Sequence, residues 1–128
     1  MEETMDLQTS PHTLIMATRV VGTAVFNRTG ERIGHVEDLS LHKISGEAIY
    51  AILSMGGFLN LGEHLHPVPW SVLEYDPARG GYVIPMGKAE LEKAPSLTRA
   101  DLEELGAGDS WRTRIFDYYG PYGAVPYV

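Results

Sequence analysis

The sequence predicts an all-β fold, a small barrel or sandwich of five or six antiparallel strands followed by a short helical extension. Its 128 residues include 14 glycines and 8 prolines, so turns should be frequent and helices should not dominate. Short β-branched or apolar runs alternate with turn signatures over about seventy residues, the rhythm of a small closed or stacked sheet. After Met86 the pattern changes, and capping residues with helical spacing replace alternation. At 44% hydrophobic and 21% charged residues, the chain has the composition of one compact domain with a buried core.

Residues 1–13 are polar and acidic without apolar period and read as a flexible leader. Val20 to Phe26 is β-branched and precedes Asn27-Arg28-Thr29-Gly30, a tight-turn sequence, giving a first strand and a hairpin. Arg32 to Leu41 places apolar residues at 33, 36, 39 and 41, a spacing that fits a strand bent at a bulge near Gly34. Lys43-Ile44-Ser45-Gly46 is the next turn. Ala48 to Met55 is apolar on both faces, as an interior strand should be. Val68, Trp70 and Val72 alternate to one face of another strand, which Pro67 and Pro69 confine to an edge or a bulge because proline cannot donate to a ladder. Asp76 to Gly81 turns the chain into a short strand from Tyr82 to Met86. Ala89 to Lys93 is a short helix. Thr98 with Asp101 opens a second helix that Gly106 closes, and Asp109 caps a third carrying Trp111, Ile115, Tyr118 and Tyr119 on one face.

Ten Lys and Arg against 17 Asp and Glu give a formal charge of −7, with the basic residues scattered. Direct binding to nucleic acid or to an anionic membrane is therefore not expected. The absence of cysteine excludes disulfides, thiolate catalysis and thiolate metal centres. No apolar run is long enough for a signal peptide or a spanning helix, so the expected location is the cytoplasm, without membrane insertion.

The run Val21-Gly22, Val25, Asn27, Gly30-Glu31, Ile33-Gly34, Val36 and Asp38-Leu39 is followed by Gly46, Tyr50 and the block Gly56-Gly57-Phe58-Leu59-Asn60-Leu61-Gly62-Glu63. With Val68-Pro69-Trp70, Leu73, Tyr75-Asp76, Leu91 and Ala94-Pro95, this order and spacing resembles the PRC-barrel family over roughly residues 18 to 95. That family includes the cytoplasmic barrel of the photosynthetic reaction-centre H subunit and the C-terminal barrel of the ribosome maturation factor, both of which hold other proteins. The resemblance implies a PRC-type β-barrel over residues 14–95, with residues 96–128 as a helical, aromatic-rich extension. Since the chain shows neither the H subunit's membrane helix nor the maturation factor's RNA-associated barrel, the stand-alone bacterial-type branch is the nearest match. What it implies is a non-catalytic docking or assembly module in the cytoplasm. The glycines at 22, 34, 56, 57 and 62, with Pro69 and Trp70, fit the bends of such a barrel.

His64 and His66 alternate by two and should present both rings to one face, where they are the candidates for a small-ligand or metal site at the barrel rim; Glu63, His35, His42 and Asp38 could complete it. Two ligands without a third of fixed spacing form no recognised metal motif, so neither a metal nor another cofactor is expected. A solvent-facing edge strand explains the same histidines. Glu37 and Asp38 are neighbours on a strand and point to opposite faces, so they cannot share a substrate, and Asp38 is expected to bond backbone at the bend. No nucleophile motif or phosphate-cradling loop is present, and the chain is not expected to be an enzyme.

Two apolar clusters remain. Phe58, Leu59 and Leu61 stand on a hairpin tip expected to face solvent, and such a cluster either folds back or meets a partner. Six of the 12 aromatic residues, Trp111, Phe116, Tyr118, Tyr119, Tyr122 and Tyr127, fall in the last 18 positions. They either close the chain's own barrel or reach across to a second copy, and a two-fold homodimer would bury both clusters. The expected function is protein–protein interaction, as a homodimer and with a further protein partner. The alternatives are the ligand-binding rim, or an accessory of ribosome or RNA processing acting through a protein contact.

Overall fold

A computed structural model of the chain describes residues 13–55 and 64–125. A single turn of helix, α1 (Ala17–Val20), leads into strands β1 (Ala24–Phe26), β2 (Arg32–Leu41), β3 (Ala48–Ser54) and β4 (Leu65–Pro69). A 3-10 turn (Trp70–Val72) connects to β5 (Glu74–Asp76) and β6 (Gly81–Val83), followed by helix α2 (Lys88–Glu92). The extension holds a 3-10 helix (Arg99–Gly106), helix α3 (Ser110–Tyr119) and a last 3-10 turn (Gly120–Tyr122).

The turns follow the local chemistry. Asn27 Oδ1 accepts the amides of Thr29 and Glu31 at 3.1 and 2.8 Å, fixing the β1–β2 turn. His42 Nδ1 accepts those of Ile44 and Ser45, both at 3.2 Å, in the β2–β3 turn. Asp76 Oδ1 accepts the Ala78 amide at 2.9 Å in the β5–β6 turn, while Arg79 reaches Asp76 Oδ2 at 2.8 Å.

The strands form one sheet in the order β4-β3-β2-β1-β6-β5. Five strands joined as antiparallel neighbours would continue the meander, but β6 instead lies parallel to β1, with Val25 opposite Tyr82 and Phe26 opposite Val83. The expected all-antiparallel arrangement is corrected here. Local hairpin signals cannot specify a pairing between the first strand and the last, and this one depends on Gly81, where a Cβ would meet Ala24 O at 2.6 Å and the Phe26 ring at 2.9 Å.

No ladder joins β4 to β5 among the described residues, so the sheet is not closed. It is nonetheless curled. A flat six-stranded sheet would hold its edges about 24 Å apart, whereas the chain from Pro69 to Glu74 spans at most about 18 Å. Trp70, in the connection after β4, packs edge-on against Tyr82 of β6, with ring centroids 5.5 Å apart.

Three further expectations change. Val20 belongs to α1 rather than to the first strand, because Gly22 at φ +94 breaks the run. Trp70 and Val72 lie in the 3-10 turn and do not continue β4. The segment after Val83 is not strand, and the sixth strand is supplied by Glu74–Asp76. The bulge expected near Gly34 is present, with Ile33 skipped in the pairing with β1, but a second one, with Glu37 skipped in the pairing with β3, was not expected from a regular alternation of Glu37 and Asp38. Beside the first bulge, a Cβ on Gly34 would collide with the Ser54 carbonyl. Gly56, Gly57 and Gly62 lie outside the described residues.

β3 is interior and buried, as its two apolar faces require. β4 is an edge, as its prolines require, yet every one of its residues is buried. The extension covers it. Leu65 and Leu97 exchange two backbone hydrogen bonds at 2.8 and 2.9 Å, and α3 packs beside the strand. Ile115 and Tyr119 are fully buried in the same core as Val25, Val36, Leu53 and Val68.

Candidate functional site

One end of the sheet is concave. The start of β2, the end of β3, the start of β4 and helix α2 meet there around two neighbouring clefts. The larger, of about 480 Å³, is lined by Met55, His64, His66, Lys88, Glu92 and Ser96. The smaller, of about 280 Å³, is lined by Arg32, Ile33, Gly34, His35, Met55 and Lys88.

Both candidate rim histidines therefore reach one cleft, as their spacing predicts, but in different states. His64 is exposed, with Nδ1 3.4 Å from Ser96 Oγ. His66 is only 5% exposed, because residues 94–97 lie over the β4 edge. A wholly solvent-facing strand is thus corrected. Burial pushes the His66 pKa down, partly opposed by the Pro95 and Ala94 carbonyls. Its Nδ1 is buried without a hydrogen-bond partner.

The residues proposed to complete a metal site do not join the two histidines, although His35 lines the neighbouring smaller cleft. The His35 ring contacts Glu37 Oε1 at 2.9 Å, and Arg99 donates to Glu37 Oε2 at 2.8 Å. These contacts, the Arg99 bond foremost, hold the Glu37 carboxyl below its usual pKa. The bulge at Glu37 turns this side chain toward the extension, while Asp38 accepts the Leu39 amide at 2.7 Å, the backbone role expected for it. His42 serves its turn. Among the described residues no group of three His, Asp or Glu is placed to hold a metal; Glu63 lies outside them.

The aromatic extension folds onto its own chain. Phe116 packs against Tyr50 of β3, with centroids 6.0 Å apart, and the Tyr118 hydroxyl donates to the Glu90 carbonyl of α2. Tyr119 lies in the core instead of on a surface, and burial raises its hydroxyl pKa far above the ordinary value. Tyr122 packs tilted against Tyr118 and edge-on against Tyr119, at centroid distances of 6.3 and 6.4 Å. Trp111 donates to Glu104 at 3.2 Å and carries Arg114 over its ring. Trp111, Phe116, Tyr118 and Tyr122 are half-buried. Phe58, Leu59, Leu61 and Tyr127 lie outside the described residues.

An apolar surface that sequence reading passed over is found around α1. Leu14 is 83% exposed and Met16 67%, with Ile15 and Val21 also exposed, although Val20 between them is buried. The available signal was Leu14 to Ala17, an apolar stretch at the edge of an otherwise polar leader.

The family model for the PRC-barrel domain matches residues 12–91. No curated protein matches the chain.

Proposed function

The chain belongs to the PRC-barrel family, and on that premise we propose that it is a non-catalytic protein–protein interaction module that self-associates as a homodimer in the cytoplasm. The observation that carries this reading is the exposed apolar set Leu14, Ile15, Met16 and Val21, beside which the β-domain begins. Large apolar side chains grouped on one short segment favour burial against another protein over contact with water. Phe58, Leu59 and Leu61 remain part of the proposed surface on sequence grounds. Of the extension, Trp111, Phe116, Tyr118 and Tyr122 keep partly exposed faces for a partner, while Tyr119 supports the fold. No described helix is long and apolar enough to cross a membrane, and the reading invokes neither membrane insertion nor nucleic acid.

Light scattering over a concentration series tests this. The expected result is a dimer that Ile15→Ser with Met16→Ser converts to monomer and that Phe58→Ser alone weakens. A chain that stays monomeric throughout, or a dimer indifferent to these substitutions, would overturn the reading.

A further inference from the structure

We propose that the two clefts act as one groove for a small molecule bearing a carboxylate or phosphate, with Arg32 and Lys88 as its anion-binding pair. Among the described residues that line it, the smaller cleft carries both cations and no carboxylate. In an acidic chain of 17 Asp and Glu, neither the Arg32 nor the Lys88 side chain hydrogen-bonds or ion-pairs with any described residue. Arg79 and Arg99, by contrast, are each engaged by a carboxylate at 2.8 Å. Two like charges on one concavity repel, and an oxyanion between them removes the repulsion and gains charge-assisted hydrogen bonds. Of the acids around the groove, Glu37 on β2 has both oxygens engaged, by His35 and Arg99, and Glu92 lines the larger cleft without an ion pair to Lys88.

Lys88 and Met55 line both clefts, so the groove continues toward His64, Ser96 and Glu92. There the lining changes character. Glu92 accepts, Ser96 and His64 both donate and accept, and His66 Nδ1 is a buried polar atom still without a partner. The ligand that fits has an oxyanion at one end and hydrogen-bond donors along its body. Clefts of about 280 and 480 Å³ match a metabolite rather than a folded partner.

Titration of the full chain with inorganic phosphate, and separately with acetate or citrate at matched ionic strength, followed by amide and side-chain NMR, tests this. Saturable shifts at Arg32, Lys88 and His64 are expected, and the anion that binds more tightly distinguishes a phosphoryl from a carboxylate end. Arg32→Ala with Lys88→Ala should weaken binding at least about tenfold, while Lys43→Ala in the β2–β3 turn should leave it unchanged. Arg32 and Lys88 are exposed, so the variant should fold, and its amide spectrum shows whether it does; Lys88→Gln alone provides the comparison if it does not. Absence of saturable binding for every anion, or binding equally affected by Lys43→Ala, overturns the proposal. Because oligomeric state is read independently, failure here is separable from failure of the homodimer reading.

Discussion

At Gly34 the backbone of β2 comes so close to the Ser54 carbonyl that a methyl group has no place. Gly34→Ala should therefore cost about 1–3 kcal/mol, measured by urea unfolding; an unchanged midpoint would mean that β2 and β3 can separate without loss. His66 sets a pH dependence. Its folded pKa lies below the ordinary value of 6.5, so as pH falls the unfolded chain binds a proton before the folded one does. The stability gained from keeping it neutral is thus complete above about pH 6.5 and is lost below, at no more than about 1.4 kcal/mol per pH unit for one proton. Subtracting the profile of His66→Gln from that of the parent chain should reveal this slope, and parallel profiles would contradict it. The spacing of His64 and His66 was legible as a shared face, but the burial of His66 was not, because the cover comes from residues 94–97.

Among the elements, α3 shows how far local pattern reaches. Its start after Asp109 and its apolar face at Ile115 and Tyr119 follow from helical spacing. The Asp109 side chain makes no cap hydrogen bond, and Thr98 likewise spends its hydroxyl on Asp101 Oδ2 at 3.0 Å, so both helix starts are marked by residues that do not cap them through the backbone. Which surface the helix covers depends on β4, an edge strand with two prolines whose outer side needs a neighbour. Ile115→Ala should destabilise the whole domain by about 2–5 kcal/mol, seen as one shifted thermal transition. A truncation ending at Gly108 should lose more, since it uncovers β4 and removes Tyr119 and the Phe116 contact with Tyr50. If the truncated chain kept full stability, α3 would be an appendage.

For the whole molecule, the order of the sheet decides where stability resides. β3 lies between two partners and is buried, whereas β5 is a three-residue edge with Tyr75 exposed. Amide exchange in β3 should therefore require global unfolding, and that in β5 should proceed by local opening; equal protection in both would contradict this ranking. Turns, the interior character of β3, the edge character of β4 and the bulge of β2 beside Gly34 were determined by the sequence itself. Each depends on the φ preference, donor loss or side-chain alternation of a few adjacent residues. The parallel seating of β6 on β1, the open curl, the folding of the aromatic extension onto its own chain and the meeting of Arg32 with Lys88 were decided only in the tertiary structure. The strand seating, the packing of Phe116 on Tyr50 and the cleft shared by Arg32 and Lys88 each join residues more than fifty positions apart, and the free energy that selects them comes from burial and close backbone approach, to which no local period corresponds.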